Sequence, residues 1–447
     1  MDTHIPNFTT TVILSCSILV LLNLFPTIIS SSIPFFPPQS LPTKSGYLVV
    51  NSTSKSSIYY AFYEAEDPIS SLSETPLLIW LQGGPGCSSM VGNFYELGPW
   101  RVNHKIELER NYGSWNRIFG VLFLDNPIGT GFSVASSQEE IPRDQFGVAK
   151  HLYIAVKSFI GLDKSLFGKR PIYITGESYA GKYAPAIGYY IVRRNSVVAE
   201  SERVNLGGVA IGNGLTDPIT QVTTHGLNAY CTGLINEKQK TRLEEAQSKV
   251  VNLVKGKKWS EATNARNEVM NILQNMTGLA TLYDLTRKIP YEADLVARFL
   301  SNSEVKAALG VSKSMVWEEC SQVVGEALHE DVMKSVKYMV ELLVKKSKVL
   351  LYQGQRDLRD GVVSVEAWMN KLKWEQIGEF RAAERKVWKV QEQVAGYVQK
   401  HASLTHAVVL GAGHFVPTDQ AVNSQVMIED WVLGRGCFAI DNTPKSQ

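Results

Sequence analysis

The sequence predicts an α/β fold with a mostly parallel central sheet flanked by helices. Four short apolar runs have the composition of strands that are buried on both faces of such a sheet. They lie at residues 76–81, 118–124, 171–175 and 206–211. Residues 144–160, between the second and third runs, carry apolar side chains at helical spacing, so strand and helix alternate. A polar segment, 216–308, has helix-forming composition, which predicts a helical insertion over the C-terminal edge of the sheet.

The N-terminal segment 1–32 has the pattern of a secretory signal peptide. An apolar run at 9–25 loses its apolar character at 30–32. Because no Lys or Arg precedes this run, an uncleaved membrane anchor is the alternative. No later stretch is long and apolar enough to cross a membrane, so we expect no membrane contact after signal cleavage.

Sequons and cysteines agree with passage through the secretory pathway, to the outside or to a vacuole. Sequons begin at Asn51 and Asn275. Of the five cysteines, Cys16 falls in the signal peptide, which leaves an even number for an oxidising compartment. Four cysteines allow three full pairings, and spacing does not choose among them. These four are Cys87, Cys231, Cys320 and Cys437.

The remaining segments complete the predicted core. A pair of strands at 46–50 and 57–63 opens it, strand character resumes at 348–352 and 406–410, and a helix through 426–432 ends it. The helix that follows Ser178 contains Pro185, which should bend or restart it. We therefore expect three segments after the signal peptide. They are a first core part at 33–215, the helical insertion at 216–308 and a second core part at 309–447.

The charge balance does not indicate a polyelectrolyte partner. The chain has 45 basic and 43 acidic residues, a net charge of +2. Basic clusters such as 255–258 are typical of solvated helix surface. We expect no nucleic-acid partner.

A candidate nucleophile lies where the apolar run at 171–175 ends. Gly176, Glu177 and Ser178 suit a sharp turn between strand and helix, which exposes the serine hydroxyl and places the next backbone N–H at a helix N-terminus. The usual pattern has glycine two residues after the serine, whereas this chain has Ala180. The alternative is that Ser178 only caps the following helix.

The loops after three other strands also carry groups of chemical interest, and ligands of open α/β sheets bind at such loops. The loop at 82–89 contains glycines whose N–H groups could line an oxyanion site, although a plain tight turn has the same composition. Asp357 and Asp360 follow the strand at 348–352, and His414 follows the strand at 406–410. Serine, aspartate and histidine thus occur in the order of an α/β-hydrolase triad.

The three groups have complementary roles in acyl transfer. A serine hydroxyl needs a base to take its proton during attack, and imidazole does this best. His414 would be the base for Ser178 and would later protonate the leaving group. A buried carboxylate would fix the tautomer of the ring and stabilise the imidazolium, which is the role expected of Asp357.

Five long motifs resemble those of the eukaryotic serine carboxypeptidases, and the chain is similar to the plant serine carboxypeptidase-like proteins over nearly its whole mature length. These motifs are Trp-Leu-Gln-Gly-Gly-Pro-Gly-Cys-Ser-Ser at 80–89, Asp-Asn-Pro-Ile-Gly-Thr-Gly-Phe-Ser at 125–133, Gly-Glu-Ser-Tyr-Ala-Gly at 176–181, Ile-Gly-Asn-Gly at 211–214 and Gly-Ala-Gly-His-Phe-Val-Pro at 411–417.

The resemblance implies a fold, a reaction and several site residues. The fold is that of an α/β-hydrolase with a helical cap, and the reaction removes a C-terminal residue through an acyl-enzyme on Ser178. The oxyanion hole would consist of the backbone N–H groups of Gly84 and Tyr179. The resemblance also assigns the acid to Asp357 in preference to Asp360. Peptide or protein C-termini are the implied substrates, and no cofactor or metal is implied.

The resemblance further assigns the residues that hold the substrate's terminal carboxylate. They are Gln82, Gly83, Glu96 and Glu177, with Gln82 replacing the asparagine of many members. Two close carboxyl groups should share a proton and donate it to the substrate, which predicts activity that is highest at acid pH.

The resemblance also implies a disulfide between Cys87 and Cys320. It leaves open whether Cys231 and Cys437 pair or stay free.

Two alternatives to a peptidase belong to other functional classes. Plant acyltransferases of the same family, which use glucose esters as donors, typically have Asp at position 177 and Ser at position 180, whereas this chain has Glu177 and Ala180. A secreted binding protein with a dead site is less favoured, because every member of the triad is present. The sequence predicts neither the preferred terminal residue nor an oligomeric state.

Overall fold

The computed structural model describes residues 36–439, so the predicted signal peptide at 1–32 lies outside the described residues. Ten strands of this part form one sheet in the order β1-β2-β6-β3-β7-β8-β9-β12-β11-β10, and β4 pairs with β5 separately. The strands are β1 Lys44–Val49, β2 Ser57–Tyr63, β3 Leu77–Leu81, β4 Trp100–Val102, β5 Leu108–Arg110, β6 Gly120–Leu124, β7 Ile172–Glu177, β8 Leu206–Gly212, β9 Lys348–Gly354, β10 Arg385–Val390, β11 Gln393–His401 and β12 Leu404–Val409.

Helices cover both faces of the sheet. Those of the described residues are α1 Ser89–Val91, α2 Gln145–Leu162, α3 Lys164–Phe167, α4 Ala180–Asn195, α5 Pro218–Gln221, α6 His225–Cys231, α7 Glu237–Lys255, α8 Trp259–Thr277, α9 Asp294–Ser301, α10 Ser303–Ala308, α11 Gln322–Ala327, α12 Lys337–Leu343, α13 Val362–Met369, α14 Ile377–Ala382, α15 Val416–Asp419 and α16 Ala421–Leu433. A π-helix, Gly92–Leu97, follows α1.

The centre of the sheet is parallel, as the sequence predicts. Strands β6, β3, β7, β8, β9 and β12 pair in parallel, and antiparallel strands flank them at both edges. Every residue of β3 and β6 is buried, which explains why these strands are continuous apolar runs. Alternate residues of β7 serve opposite cores, since Ile174 joins the core cluster that contains α2 and α4 while Tyr173 packs against Trp431 of α16.

Helix α4 runs without interruption through Pro185, so the expected restart does not occur. A proline at this position cannot donate to the carbonyl four residues earlier, that of Gly181. The hydroxyl of Thr216 donates to this carbonyl instead, at 2.8 Å. A side chain from the loop after β8 therefore replaces the missing helical hydrogen bond.

Every regular element between residues 216 and 308 is a helix. The apolar faces of α7 and α8 join the core cluster that contains α2 and α4. Helix α9 joins the other cluster, where Phe299 packs against Phe36 and Phe94. This segment therefore contributes to both cores. Among the described helices, none has the length and apolar character needed to cross a membrane.

Candidate active site

Ser178 lies at the turn between β7 and α4 with a φ angle of +62°, in the left-handed region. Such a conformation is strained for a residue with a side chain and is typical of functional sites. A Cβ on Gly176 would lie 2.5 Å from the carbonyl oxygen of Leu81 and 2.8 Å from the Cβ of Ala180. The turn therefore requires small residues on both sides. The N-cap residue of α4 is Tyr179, so Ser178 does not occupy the capping position.

His414 and Asp357 form a buried pair. Nδ1 of His414 lies 2.7 Å from Oδ2 of Asp357. The same oxygen accepts a hydrogen bond from Nδ2 of Asn213 at 2.7 Å, and Oδ1 accepts one from the backbone N–H of Arg359 at 2.7 Å. Nε2 of His414 is buried and has no hydrogen-bond partner among the described residues. With Nδ1–H donating to Asp357, the lone pair of Nε2 is available to a hydroxyl group.

Asp360 has different partners. Its Oδ1 lies 3.7 Å from the guanidinium of Arg266 and 3.3 Å from Nε2 of Gln221. It contributes a backbone N–H to Asp357 at 3.3 Å. The side chain that contacts the histidine is that of Asp357.

The sheet topology brings these groups to one edge. Ser178, Asn213, Asp357 and His414 follow β7, β8, β9 and β12, which are neighbours in this order. The backbone N–H of Ser178 donates to the carbonyl of Gly212 at 3.0 Å, and the next residue, Asn213, binds Asp357. Ser178 is thus linked to the pair through the end of β8.

Sequence reasoning missed Asn213 and Tyr283. Asn213 lies in the motif at 211–214, which does not by itself indicate a role, and its Oδ1 also accepts a hydrogen bond from the N–H of Gly354 at 3.2 Å. The ring of Tyr283 stacks on His414 with centroids 4.4 Å apart, and its carbonyl accepts the backbone N–H of His414 at 2.7 Å. Nothing in the sequence around Tyr283 signals this contact.

The glycine loop after β3 packs directly on the serine turn. A Cβ on Gly83 would lie 2.5 Å from the backbone nitrogen of Tyr179 and 2.8 Å from the Cβ of Ser178. Gly84 has a φ angle of +108°. Among the turns and loops of residues 36–439, no carbonyl accepts the N–H of Gly84 or Tyr179. Both donors are therefore available to a ligand beside Ser178.

Cys87 and Cys320 form a disulfide across a sequence separation of 233 residues, which ties the glycine loop to the segment before α11. Cys231 is exposed and Cys437 is half-buried, and both are free thiols within the described part of the chain.

Gln82, Glu96 and Glu177 form a second buried cluster. Nε2 of Gln82 donates to Oε1 of Glu177 at 2.8 Å and to Oε1 of Glu96 at 3.1 Å, while its Oε1 accepts from the indole N–H of Trp80 at 2.8 Å. Glu96 lies in the π-helix, a type of segment that is frequent at functional sites.

Burial governs the protonation of this pair of carboxyl groups. It raises the pKa of Glu96 to about 7, although hydrogen bonds with Glu177 and Gln82 act in the opposite direction. Burial and then the neighbouring charge of Glu96 raise the pKa of Glu177 well above its ordinary value. Two such groups in contact retain a proton at acid pH.

A buried polar network holds the start of α4. The hydroxyl of Tyr179 donates to Oδ2 of Asp331 at 2.7 Å, and the same oxygen lies 2.6 Å from Nζ of Lys182 and 2.7 Å from Nε2 of Gln145. Burial lowers the pKa of Lys182 to about 8, against the charge of Asp331. The side chain of Tyr179 is thereby fixed while its backbone N–H stays at the serine turn.

A cavity of about 220 Å³ opens beside Ser178. Its lining includes Gly84, Ser178 and Tyr179. It also includes Arg266 of α8 and Arg359, which follows β9.

The two sequon asparagines differ in exposure. Asn275 is exposed in the last turn of α8. Asn51 is half-buried, and its Nδ2 donates to Glu140 at 3.4 Å.

Comparisons with known proteins identify the family of the chain. A family model described as serine carboxypeptidase matches residues 34–434. The chain is 58% identical over 407 residues to "Serine carboxypeptidase-like 50" of Arabidopsis thaliana, covering 91% of this chain and 90% of the relative. It is 32% identical over 414 residues to "Probable serine carboxypeptidase CPVL" of Homo sapiens, covering 90% and 85%.

A solved structure gives the same result at the level of the fold. The crystal structure of Kex1(delta)p, a prohormone-processing carboxypeptidase from Saccharomyces cerevisiae, matches with a TM-score of 0.78 and 27% identity, covering 88% of this chain and 91% of that one. The predicted α/β-hydrolase fold is therefore confirmed. The chain belongs to the serine carboxypeptidase family and is a serine-type hydrolase of the plant carboxypeptidase-like kind.

Proposed function

We propose that the protein is a serine carboxypeptidase that releases C-terminal residues of peptides through an acyl-enzyme on Ser178 and is most active at acid pH. One observation carries the proposal. Glu177, a member of the buried carboxyl cluster, directly precedes Ser178 in the chain, so a group that can bind a terminal carboxylate adjoins the nucleophile. An endopeptidase cleaves internal peptide bonds, so it does not need a proton-sharing pair of carboxyl groups to bind a terminal carboxylate at that position.

The reaction proceeds in two stages. Oγ of Ser178 attacks the last peptide carbonyl while Nε2 of His414 takes its proton, and Asp357 stabilises the resulting imidazolium. The N–H groups of Gly84 and Tyr179 bind the oxyanion. His414 then protonates the amine of the released residue. Water hydrolyses the ester on Ser178 by the same sequence, with His414 as the base.

The carboxyl cluster selects substrates that end in a free carboxylate. Below pH 7 the pair formed by Glu96 and Glu177 holds a proton and donates it to the substrate carboxylate. Gln82 and the backbone of Gly83 supply further contacts. As the pH rises through about 7, Glu96 loses its proton, and its negative charge weakens the binding of the substrate carboxylate.

The decisive experiment compares an N-blocked dipeptide with its C-terminal amide at acid pH. The free acid should be hydrolysed much faster than the amide, and Ser178→Ala should abolish both the turnover and the labelling by an organophosphonate. Equal hydrolysis of acid and amide would contradict the role of the cluster. No observation favours the acyltransferase alternative, and transfer from a glucose ester without peptide hydrolysis would establish it.

We also propose that residues 216–308 form a cap between two core parts, 33–215 and 309–447, because α8 supplies a wall of the cavity beside Ser178. The signal-like segment 1–32, the disulfide and the sequons support passage through the secretory pathway, to the outside or to a vacuole. Expression in secretory cells should give a glycosidase-sensitive mass that Asn275→Gln and Asn51→Gln reduce. An unglycosylated product retained in the cytosol would contradict this.

A further inference from the structure

We propose that the cavity beside Ser178 binds the side chain of the penultimate substrate residue and that Arg266 makes it select an acidic side chain there. The proposal rests on the carboxypeptidase function proposed above. It adds the substrate class to that function, since it names the chemistry on the acyl side of the cleaved bond.

The position of the cavity indicates which substrate residue it receives. Its lining includes Ser178 and the residues of the two oxyanion donors, Gly84 and Tyr179. Glu96 and Glu177, which would hold the terminal carboxylate, are not among the described residues that line it. A peptide with its last carbonyl at Ser178 and its C-terminus at the carboxyl cluster therefore directs the penultimate side chain into this cavity. Its volume, about 220 Å³, exceeds that of several water molecules at about 30 Å³ each.

Arg266 lines the cavity with a guanidinium group that has no hydrogen-bond acceptor in the described part of the chain. The residue is only 3% exposed, yet its guanidinium donates no hydrogen bond to any residue in the described part of the chain. Its nearest carboxylate oxygen, Oδ1 of Asp360, lies 3.7 Å away. A guanidinium carries five N–H donors, and those of Arg266 have no acceptor in the protein and can bind a ligand in the cavity. A ligand carboxylate would supply the missing acceptors in bidentate geometry.

The charges around the cavity favour the same ligand. Nε of Arg359 lies 3.9 Å from Oδ2 of Asp360, so two guanidinium groups share one carboxylate. The ring of His329, also in the lining, is held by Asn264 and Ser260. The charged groups of this wall are therefore in positive excess, which attracts an acidic side chain and repels a basic one.

The test uses four N-blocked dipeptides that share one C-terminal residue and differ in the penultimate one, which is Glu, Gln, Lys or Ala. At about pH 5.5 the glutamate is ionised. We expect kcat/KM for Glu to exceed that for Gln by about tenfold or more, as for a charge-assisted hydrogen bond, with Lys the poorest. A Gln substrate equal to Glu, or a preference for Lys, would overturn the proposal.

Variants test whether Arg266 causes the preference for a penultimate glutamate. Arg266→Gln should bring the Glu-to-Gln ratio to about one, and Arg266→Lys should retain part of it. Arg242→Gln is the matched control, because Arg242 is exposed on α7, and it should keep the ratio of the unaltered enzyme. An unchanged ratio in a folded Arg266→Gln variant, with folding verified by organophosphonate labelling, would overturn the role of Arg266.

The outcomes separate this proposal from the function on which it rests. Hydrolysis of the Ala dipeptide without a Glu preference overturns the proposal and leaves the carboxypeptidase function intact. Hydrolysis of none of the four dipeptides overturns both. If Arg266→Gln does not fold, the order of kcat/KM for the Glu, Gln and Lys dipeptides in the unaltered enzyme decides whether the cavity selects an acidic side chain.

Discussion

Asp357 and Asp360 are three residues apart, yet their side chains face different partners. Asp357 accepts hydrogen bonds from His414 and Asn213, whereas Asp360 lies near Arg266. We expect Asp357→Asn to lower kcat by about 10⁴-fold, because an amide at that position favours the wrong imidazole tautomer. Asp360→Asn should cause a much smaller loss. Turnover of a blocked dipeptide measures both, and full activity of Asp357→Asn would contradict the assignment.

The carboxyl pair should set the alkaline limit of activity. Because burial raises the pKa of Glu96 to about 7, this carboxyl group is neutral below that pH and negatively charged above it. We expect kcat/KM for a free-acid dipeptide to decline as the pH rises through about 7. In Glu96→Gln the amide donates at every pH, so the decline should become shallower. Identical profiles for the variant and the unaltered enzyme, or a rise to pH 8, would contradict the shared proton.

The candidate residues differ in how well the sequence predicts them. Ser178, Asp357 and His414 follow apolar strands, so the periodicity that predicts the strands also places these residues at one edge. Arg266 and Tyr283 lie in the polar segment 216–308. Composition there predicts helices, but it does not indicate which side chain turns toward the serine. That information depends on tertiary packing.

Helix α4 depends on a hydrogen bond from outside the helix. The hydroxyl of Thr216 satisfies the carbonyl of Gly181 that Pro185 leaves free. We expect Thr216→Val to lower the free energy of unfolding by about 1–3 kcal/mol, because a buried carbonyl loses its partner. Thr241→Val, on the exposed face of α7, is the control and should change it by less than about 0.5 kcal/mol. Urea titration measures both, and equal effects would contradict this role of Thr216.

The disulfide should stabilise the fold and hold the glycine loop in its active position. Cys320→Ser opens a covalent loop of 233 residues, and we expect a loss of about 2–5 kcal/mol in the free energy of unfolding. Turnover should fall too, because the loop carries Gly83 and Gly84. Cys231→Ser, at an exposed free thiol, should match the unaltered protein. A Cys320→Ser variant with unaltered stability would contradict the prediction.

Elements with a strong apolar pattern were predicted well, whereas the edge strand β10 was not. The runs at 76–81 and 118–124 correspond to β3 and β6, where every residue is buried. Strand β10 was missed because five of its six residues remain partly or fully exposed and only Trp388 is buried. Of the two effects expected of Pro185, a bend or a restart, the restart does not occur, because the distant side chain of Thr216 compensates for the proline. The local sequence carries no sign of this compensation.

Stability of the whole molecule should be greatest at acid pH. Burial raises the pKa of Glu96 to about 7 and that of Asp125 to about 6, and raises that of Glu177. These groups keep protons that the unfolded chain releases above about pH 4, so stability falls as the pH rises from there to about 7. His225 and His406 have pKa values lowered to about 3, mainly by burial. Stability due to these histidines is lost as the pH falls from about 6.5 to 3.

The two effects oppose each other at intermediate pH, where three carboxyl groups outweigh two histidines. Below about pH 4 only the histidines act. We therefore expect the Tm at pH 5 to exceed both the Tm at pH 8 and the Tm at pH 3.5. Glu96→Gln should reduce the difference between pH 5 and pH 8. A maximum at neutral pH would contradict the prediction.

The distribution of the site along the chain has a consequence for biosynthesis. Ser178 is translated long before Asp357 and His414, which belong to strands β9 and β12 near the end of the chain. A ribosome-bound chain that has just added Cys320 contains the serine and the glycine loop but neither the carboxylate nor the imidazole. The nascent chain therefore has no base to activate Ser178 until β12 and the histidine that follows it have been translated.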